Sequence, residues 1–479
     1  MNSSEEATAA AANPTSPSAP AGSAAEVSAQ ADTVLTSLCA ISQKQEQGQQ
    51  EQQEQQQEKQ QQEHEQQEQE QDQPVYVQTE EDATATATAT DTDTGADTGA
   101  EKEGDKVEVD RRLCVYWHPA CYEHSIPDHP EQPDRVKVML EHLRRALSAD
   151  TFRLAPLVQE DQVLLFHTRN HFLNFQVKAD KVEKKWAVGQ GKLSYSAYDS
   201  DTAVMHATRE ACFRAAGSVC AAVDSVFAAQ GDAQYARSAF CCVRPPGHHA
   251  ERNTVMGFCF FNGAGIAAKY AQQRYGGSHG VKKVAVMDFD VHHGNGTEEG
   301  FLRDESCFYG STHEQDNFPG TGVDLYPNIG DNAKSEQHRR IVNRYLTGGD
   351  HQKSRREFKP RWRHVVDEME RFQPDLVVFS AGFDAHGADP LGNCWLTDED
   401  FAWATDIVLA ACARIGTKTD KDTPVPCVSV LEGGYDLEAI ARSAVLHCES
   451  LQRGHVEPAA QAVGDEAAAL ADTIAQLEF

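Results

Sequence analysis

VAVMDFDVHHGNG, running from Val284 to Gly296, opens apolar and closes in a polar turn. Val284 to Met287 are apolar on both alternating sets, the pattern of a strand buried on both faces. Beyond them Asp288, Asp290 and His292 fall two residues apart, so their side chains share one face of the strand end while His293 points away. Four other stretches also carry an apolar run into a polar turn. They are CCVRPPGHHAE (Cys241 to Glu251), FYGSTHEQDNFPGTG (Phe308 to Gly322), LVVFSAGFDAHGADPLG (Leu376 to Gly392) and VSVLEGGYD (Val428 to Asp436).

Short runs rich in Val, Cys, Phe and Leu recur at Leu113–Trp117, Ala239–Val243, Lys283–Phe289, Ser306–Gly310, Asp375–Ser380 and Val425–Leu431. Helical patterns lie between them: Asp134–Leu147 behind Pro133, one long Ala-rich helix over Thr202–Ala229, then Asn262–Tyr275 and Arg361–Phe372. Strands alternating with helices predict an α/β domain around a mostly parallel sheet. Ligands of such sheets sit beyond the carboxyl ends of the strands, where all five polar turns fall. Val323–Lys359 is polar, with a basic cluster at Lys353, Arg355 and Arg356, and reads as loop, one short strand near Ile341–Leu346, and loop.

With 479 residues the chain has room for one large α/β domain with extensions, or for two ordinary domains. Residues 1–110 read as a disordered low-complexity tail, residues 111–455 as the folded domain and residues 456–479 as a C-terminal helical extension. The tail is Ala/Ser/Thr/Pro-rich, then Gln/Glu-rich from Gln43 to Gln73, then an Ala-Thr repeat over Ala83–Thr90. Such a composition buries too little apolar surface to offset ordering. Residues 1–100 carry 19 acidic and 2 basic side chains, so 17 of the 31 net negative charges lie there. This acidity argues against direct nucleic-acid binding through a broad basic surface and would attract a cationic polypeptide. No apolar run is long enough to span a bilayer. The N-terminus lacks the features of a secretory signal, and Glu5, Glu6 and Glu26 without an early Arg disfavour a transit peptide. The 13 cysteines are scattered without CxxC spacing, which favours the reducing cytoplasm or nucleus, one or both.

Asp290 and His292, with Asp384 at the end of another strand, can reach one ion. Three O/N ligands with open positions describe a catalytic metal site. The mix suits zinc, with Fe2+, Co2+ and Mn2+ open on ligand type. A single Asp in such a turn is more often a cap, but three acids and a His converging at strand ends are not explained that way. His248 and His249 follow Arg244-Pro245-Pro246-Gly247, and amide hydrolysis needs both a base and an acid. Asp288 and Asn295 are the expected acceptors that fix their tautomers. Tyr435 sits in a glycine-rich turn; a Tyr there is by itself more often packed at a domain edge, but beside a metal its phenol can stabilise an oxyanion. Gly257-Phe258 and Phe318-Pro319 place aromatic residues on loops near the same sheet edge, either as ordinary packing residues or as two walls of a narrow apolar slot.

RPPGHHA, DFDVHHGNG, SAGFDAH and EGGY, with weaker support from HPEQPDR (His129 to Arg135), resemble the histone deacetylase family, especially its class II branch and related bacterial deacetylases. The resemblance covers Leu113 to Leu451. It implies an arginase-like three-layer α/β fold with a central, mostly parallel eight-stranded sheet. It also implies zinc-dependent hydrolysis of N6-acetyl-lysine in a histone or other protein to lysine and acetate. Carried over by position, Zn2+ falls on Asp290, His292 and Asp384, His249 is the main base, His248 its electrostatic partner, and Tyr435 the carbonyl-polarising phenol. Phe258 and Phe318 line a lysine tunnel with Gly257 at its base. A structural monovalent cation, K+, falls beside Asp288, Asp290, His292 and Ser311. Asn295 matches the class II pattern where class I members carry Asp. Leu391 takes the place of an acidic gatekeeper in a polyamine-selective relative. Asp201, with Asp199 the alternative, is the acid expected to bind substrate backbone. The chain departs from the family at Val323–Arg340, where relatives often have a glycine-rich turn. Acetylated proteins or peptides are the implied partners, with corepressor or other proteins as partners of the tail. An acetylpolyamine amidohydrolase, or a non-catalytic acyl-lysine-binding corepressor scaffold, are the alternatives; an arginase-like enzyme would need more acidic ligands for a second metal.

Overall fold

The computed structural model describes residues 113–454, apart from 190–193, 230–231, 233–234, 324–339 and 419–422. The expected tail (1–110), the C-terminal extension (456–479) and most of the divergent 323–340 segment lie outside the described residues. Eight strands form one sheet: β1 (Leu113–Trp117), β2 (Phe152–Leu154), β3 (Ser238–Cys241), β4 (Val284–Asp288), β5 (Cys307–Glu314), β6 (Ile341–Leu346), β7 (Leu376–Ala381) and β8 (Cys427–Leu431). Their spatial order is β2-β1-β3-β8-β7-β4-β5-β6, and every neighbouring pair is parallel. The strand runs are apolar on both sides because both faces are covered. Val430 of β8 meets the helix Gly263–Tyr275 at Gly263, whereas its neighbour Ser429 bonds His447 of the helix Leu437–Arg453 at 2.8 Å. Consecutive strand residues point to opposite faces, so these helices belong to the two outer layers.

The helix Asp134–Ala146 starts after Pro133, places Asp134 in its first turn and Arg144 and Arg145 in its last, and buries Val136, Met139, Leu140 and Leu143. Asn262 caps Gly263–Tyr275 by accepting the Gly265 N–H. On the Leu437–Arg453 side, Phe289, Phe379, Phe383 and Phe240 surround the His447 ring. Burial holds this imidazole down to about 3, so it is neutral and bridges Thr405 and Ser429.

The structure differs from the sequence reading in places. The helix expected from Thr202 begins at Thr208, because Ala203–Val204 pair with Ser196–Ala197 and the Thr202 hydroxyl oxygen accepts the Phe258 N–H. The helix expected from Arg361 starts at His351 on an Asp350 cap, so Lys353, Arg355 and Arg356 are helical, not loop. Pro360 lies inside it, sacrificing one backbone hydrogen bond rather than ending the helix. The fold also has edge strand β2, the long helices Arg169–Val188, Asp398–Lys418 and Leu437–Arg453, and the short helices Ala120–Glu123, Glu160–Val163 and Asn295–Phe301. No helix among the described residues is long and apolar enough to cross a membrane.

Candidate metal centre and catalytic pocket

β4 is flanked by β7 and β5, which sets Asp288 opposite Ser380 on one side and Ser311 on the other. The chain beyond Asp288 carries Asp290 and His292, and the chain beyond β7 carries Asp384. All three converge: His292 Nδ1 lies 3.0 Å from Asp290 Oδ1 and 3.1 Å from Asp384 Oδ2. Their donor atoms fall within 4.8 Å of one another, and the residues are buried. Ligands about 2.0–2.1 Å from a tetrahedral zinc would sit roughly 3.3 Å apart, so this set fits such an ion. Each carboxylate spends its second oxygen on a backbone N–H. Asp290 Oδ2 accepts Gly433 N–H at 2.7 Å, and Asp384 Oδ1 accepts Val291 N–H at 2.8 Å. Those bonds fix which oxygen faces inward. A methyl group at Gly382 would overlap the Asp290 carboxylate, and one at Gly433 the Asp384 carboxylate.

Burial of so many acids separates their proton affinities. Burial, then the neighbouring Asp290, raises Asp384 above the carboxylate range; Asp288 is likewise raised by burial. For Asp290 burial works in the same direction, but the His248 and His292 imidazoles outweigh it and hold the group below its usual range. Burial alone would lower His292, yet Asp384 and Asp290 raise it well above the ordinary imidazole value.

The two histidines differ in what their Nδ1 atoms meet. His248 Nδ1 donates to Asp288 Oδ2 at 3.1 Å, and the Asp290 and Asp288 carboxylates overcome the cost of burial to push His248 up to about 10. His249 Nδ1 lies 2.9 Å from Asn295 Oδ1, and Asn295 Nδ2 donates to Glu251 Oε1 at 3.0 Å. The carboxylate of Glu251 thereby orients the amide, so its oxygen faces His249. His249 must then carry its proton on Nδ1, leaving the Nε2 lone pair available. Burial, with His248 and His292 nearby, holds His249 well below the usual imidazole range.

Phe318, 43% exposed, stands over the His249 ring at 5.0 Å and the His292 ring at 6.3 Å. Gly257 lies against both the His249 and Phe318 rings. Phe258 faces Tyr435 edge-on at 6.0 Å and His129 at 4.6 Å. Phe318 thus lies beside the histidines and Phe258 beside the phenol. Leu391 is half-buried, and its carbonyl accepts from Asn317, next to Phe318. Ser311 is buried with its hydroxyl 2.9 Å from His313 Nδ1. Asp201 is exposed and precedes Thr202, whose hydroxyl oxygen accepts the Phe258 N–H. Asp199 Oδ1 accepts the backbone N–H groups of Asp201 and Thr202, so its side chain is committed to shaping that loop.

Several polar residues inside the quoted motifs received no role from the sequence. Arg244 and Arg135 both grip Glu131, and all three are buried. Arg135 also donates to the carbonyls of Gly434 and Glu432 at 2.5 Å each, and its guanidinium lies 4.7 Å from the Tyr435 ring centre. Glu432 Oε2 accepts Gly247 N–H and His248 N–H, while Oε1 accepts the Ser380 hydroxyl. Tyr309 donates to Asp288 Oδ2. Their presence in RPPGHHA, EGGY and HPEQPDR is the signal the sequence offers; the partnerships arise only in the fold.

A parallel sheet whose carboxyl edge holds an Asp-His-Asp set, paired imidazoles and a phenol has the make-up of a hydrolase that acts on amides. The model of the histone deacetylase domain matches residues 129–451. The chain is 34% identical over 350 residues to "Histone deacetylase 14, chloroplastic" of Arabidopsis thaliana, across 70% of this chain and 75% of that one. It is 33% identical over 360 residues to "Type-2 histone deacetylase 2" of Dictyostelium discoideum, across 68% of this chain but only 20% of that longer protein. The crystal structure of the HDA15 HD domain aligns with a TM-score of 0.57 and 31% identity, covering 71% of this chain and 90% of that one. The chain belongs to the histone deacetylase family, whose members are deacetylases.

Proposed function

We propose that this protein is a zinc-dependent protein-lysine deacetylase that converts N6-acetyl-lysine in a histone or other protein to lysine and acetate. The convergence of Asp290, His292 and Asp384, with the His249 ring 5.9 Å from that of His292 and its Nδ1 held by Asn295, carries this reading. Zinc held by those three residues would polarise the acetyl carbonyl and acidify the adjacent water. His249 takes the water proton at Nε2 and returns one to the departing lysine amine. His248, anchored on Asp288, supplies positive charge beside the developing oxyanion, and the Tyr435 hydroxyl donates to that oxygen. Phe258 and Phe318 flank the lysine stem, with Gly257 at the base of the slot. Asp201 accepts substrate backbone N–H groups, and Leu391 leaves the rim without the acid a polyamine would need. Asp288 and Ser311, paired across neighbouring strands, offer oxygens of the kind a structural K+ takes. The reading includes acetylated proteins as partners, other proteins bound through the tail, and residence in the cytoplasm, nucleus or both.

The test is turnover of a fluorogenic acetyl-lysine peptide, with and without chelator and Zn2+ add-back, beside acetylspermidine. Peptide turnover lost on chelation and restored by zinc is expected. Turnover of acetylspermidine alone would move the activity to polyamines, and peptide binding without turnover would favour a scaffold.

A further inference from the structure

Tyr435 rides on a turn that its own sequence leaves soft: Gly434 has φ +115, a conformation that glycine takes readily and other residues rarely do. The Arg135 guanidinium and Phe258 restrain the ring. The backbone is held from elsewhere. Asp389, 7% exposed, accepts the Tyr435 N–H on Oδ2 at 2.6 Å and the Asp436 N–H on the same oxygen at 3.2 Å. Its Oδ1 accepts the Leu391 N–H at 2.9 Å. Its own N–H reaches the His386 carbonyl at 3.0 Å. One side chain therefore binds the phenol-bearing turn to the loop that runs from Asp384 to Leu391. Only a carboxylate suits this place, because both of its oxygens accept; an amide would turn an NH2 group toward one of the backbone N–H donors.

We propose that Asp389 is a positioning residue for the deacetylation reaction, setting the reach of the Tyr435 hydroxyl and coupling it to the tunnel loop through Leu391. The inference rests on the deacetylase reading and on the role given there to Tyr435. A residue acting through the phenol has nothing left to act on once the phenol is gone, and that supplies the test.

The zinc-loaded full chain is assayed on the acetyl-lysine peptide as wild type, D389N, Y435F and the double variant, with zinc content and urea midpoint measured for each. D389N should lower kcat on the order of tenfold, because small misplacements of a catalytic group are costly. It should leave KM within about threefold, the pattern of an interaction made mainly in the transition state. In the Y435F background the same substitution should change kcat by less than about twofold, since effects of groups acting as a unit do not add. D389E keeps the charge but lengthens the arm, and should show the same dependence on Tyr435 if D389N folds poorly. Equal losses from D389N or D389E in both backgrounds, or no loss in either, would overturn the proposal while leaving the deacetylase reading intact. Wild-type kcat in Y435F would instead overturn the phenol's role, and the Asp389 proposal with it.

Discussion

Glu131 and Asp290 are equally buried and lie near the same turn, yet one faces two guanidiniums and the other faces two more carboxylates. Around Glu131, Arg244 donates from Nε at 2.7 Å and from Nη2 at 2.5 Å, while Arg135 adds a third bond at 3.1 Å. Other guanidinium N–H groups go to carbonyls of Cys121, His124, Glu131, Glu432 and Gly434. This cluster is satisfied by the chain itself and holds the Glu432–Tyr435 turn. Around Asp290, the ion-pair partners of the three acids Asp288, Asp290 and Asp384 among the described residues are the imidazoles of His248 and His292. Buried charge that the chain neutralises is scaffold; buried charge left acidic is suited to a bound cation.

Substitution should separate the two clusters, with the largest effect at the acidic one. Asp290→Ala should remove bound zinc and lower kcat/KM on the order of 10³-fold or more, the loss of several kcal/mol of electrostatic stabilisation. An active, metal-replete D290A would refute the ligand assignment. Glu131→Gln should act on folding instead, costing about 3–5 kcal/mol in urea unfolding because two buried guanidiniums lose their counter-charge. The same carboxylate predicts a pH dependence. Burial opposes its charge, but Arg244 and then Arg135 hold Glu131 down to about 2. A depressed folded value means stability that is present above the ordinary carboxylate range and lost as pH falls toward 2. The shift from the usual 4.5 is worth about 3 kcal/mol. Urea midpoints at about pH 5 and pH 3 should therefore fall further in wild type than in E131Q; parallel slopes would discard this account. The smallest effect is expected at the junction of the clusters, where Tyr435→Phe should cut kcat on the order of 10²-fold without altering stability or zinc content.

The same contrast explains what the sequence could reveal. Asp288, Asp290 and His292 are legible because a period of two at a strand end puts them on one face, and neighbouring β7 brings in Asp384. The strands were legible for a related reason: burial on both faces leaves a continuous apolar run, as in Val284–Met287. Glu131 and Arg135 are four residues apart, but Arg244 joins them from 113 residues away, a meeting that local periodicity does not reveal. Asp389 resembles any turn Asp until its three backbone donors are seen. The early start of His351–Phe372 was hidden by Pro360 and by a charged face that packs little apolar surface. β2 has three residues, too few for a period to register.

Gly382 and Gly433 offer no donor side chain, yet each occupies the space beside a carboxylate of the candidate metal set. An alanine at either place would push a ligand aside while every ligand remained in the sequence. An inventory of functional residues compiled from reactive side chains would pass over both positions, although they behave as part of the donor set. Part of the candidate metal site is thus written as two hydrogen atoms where alanine has a methyl group.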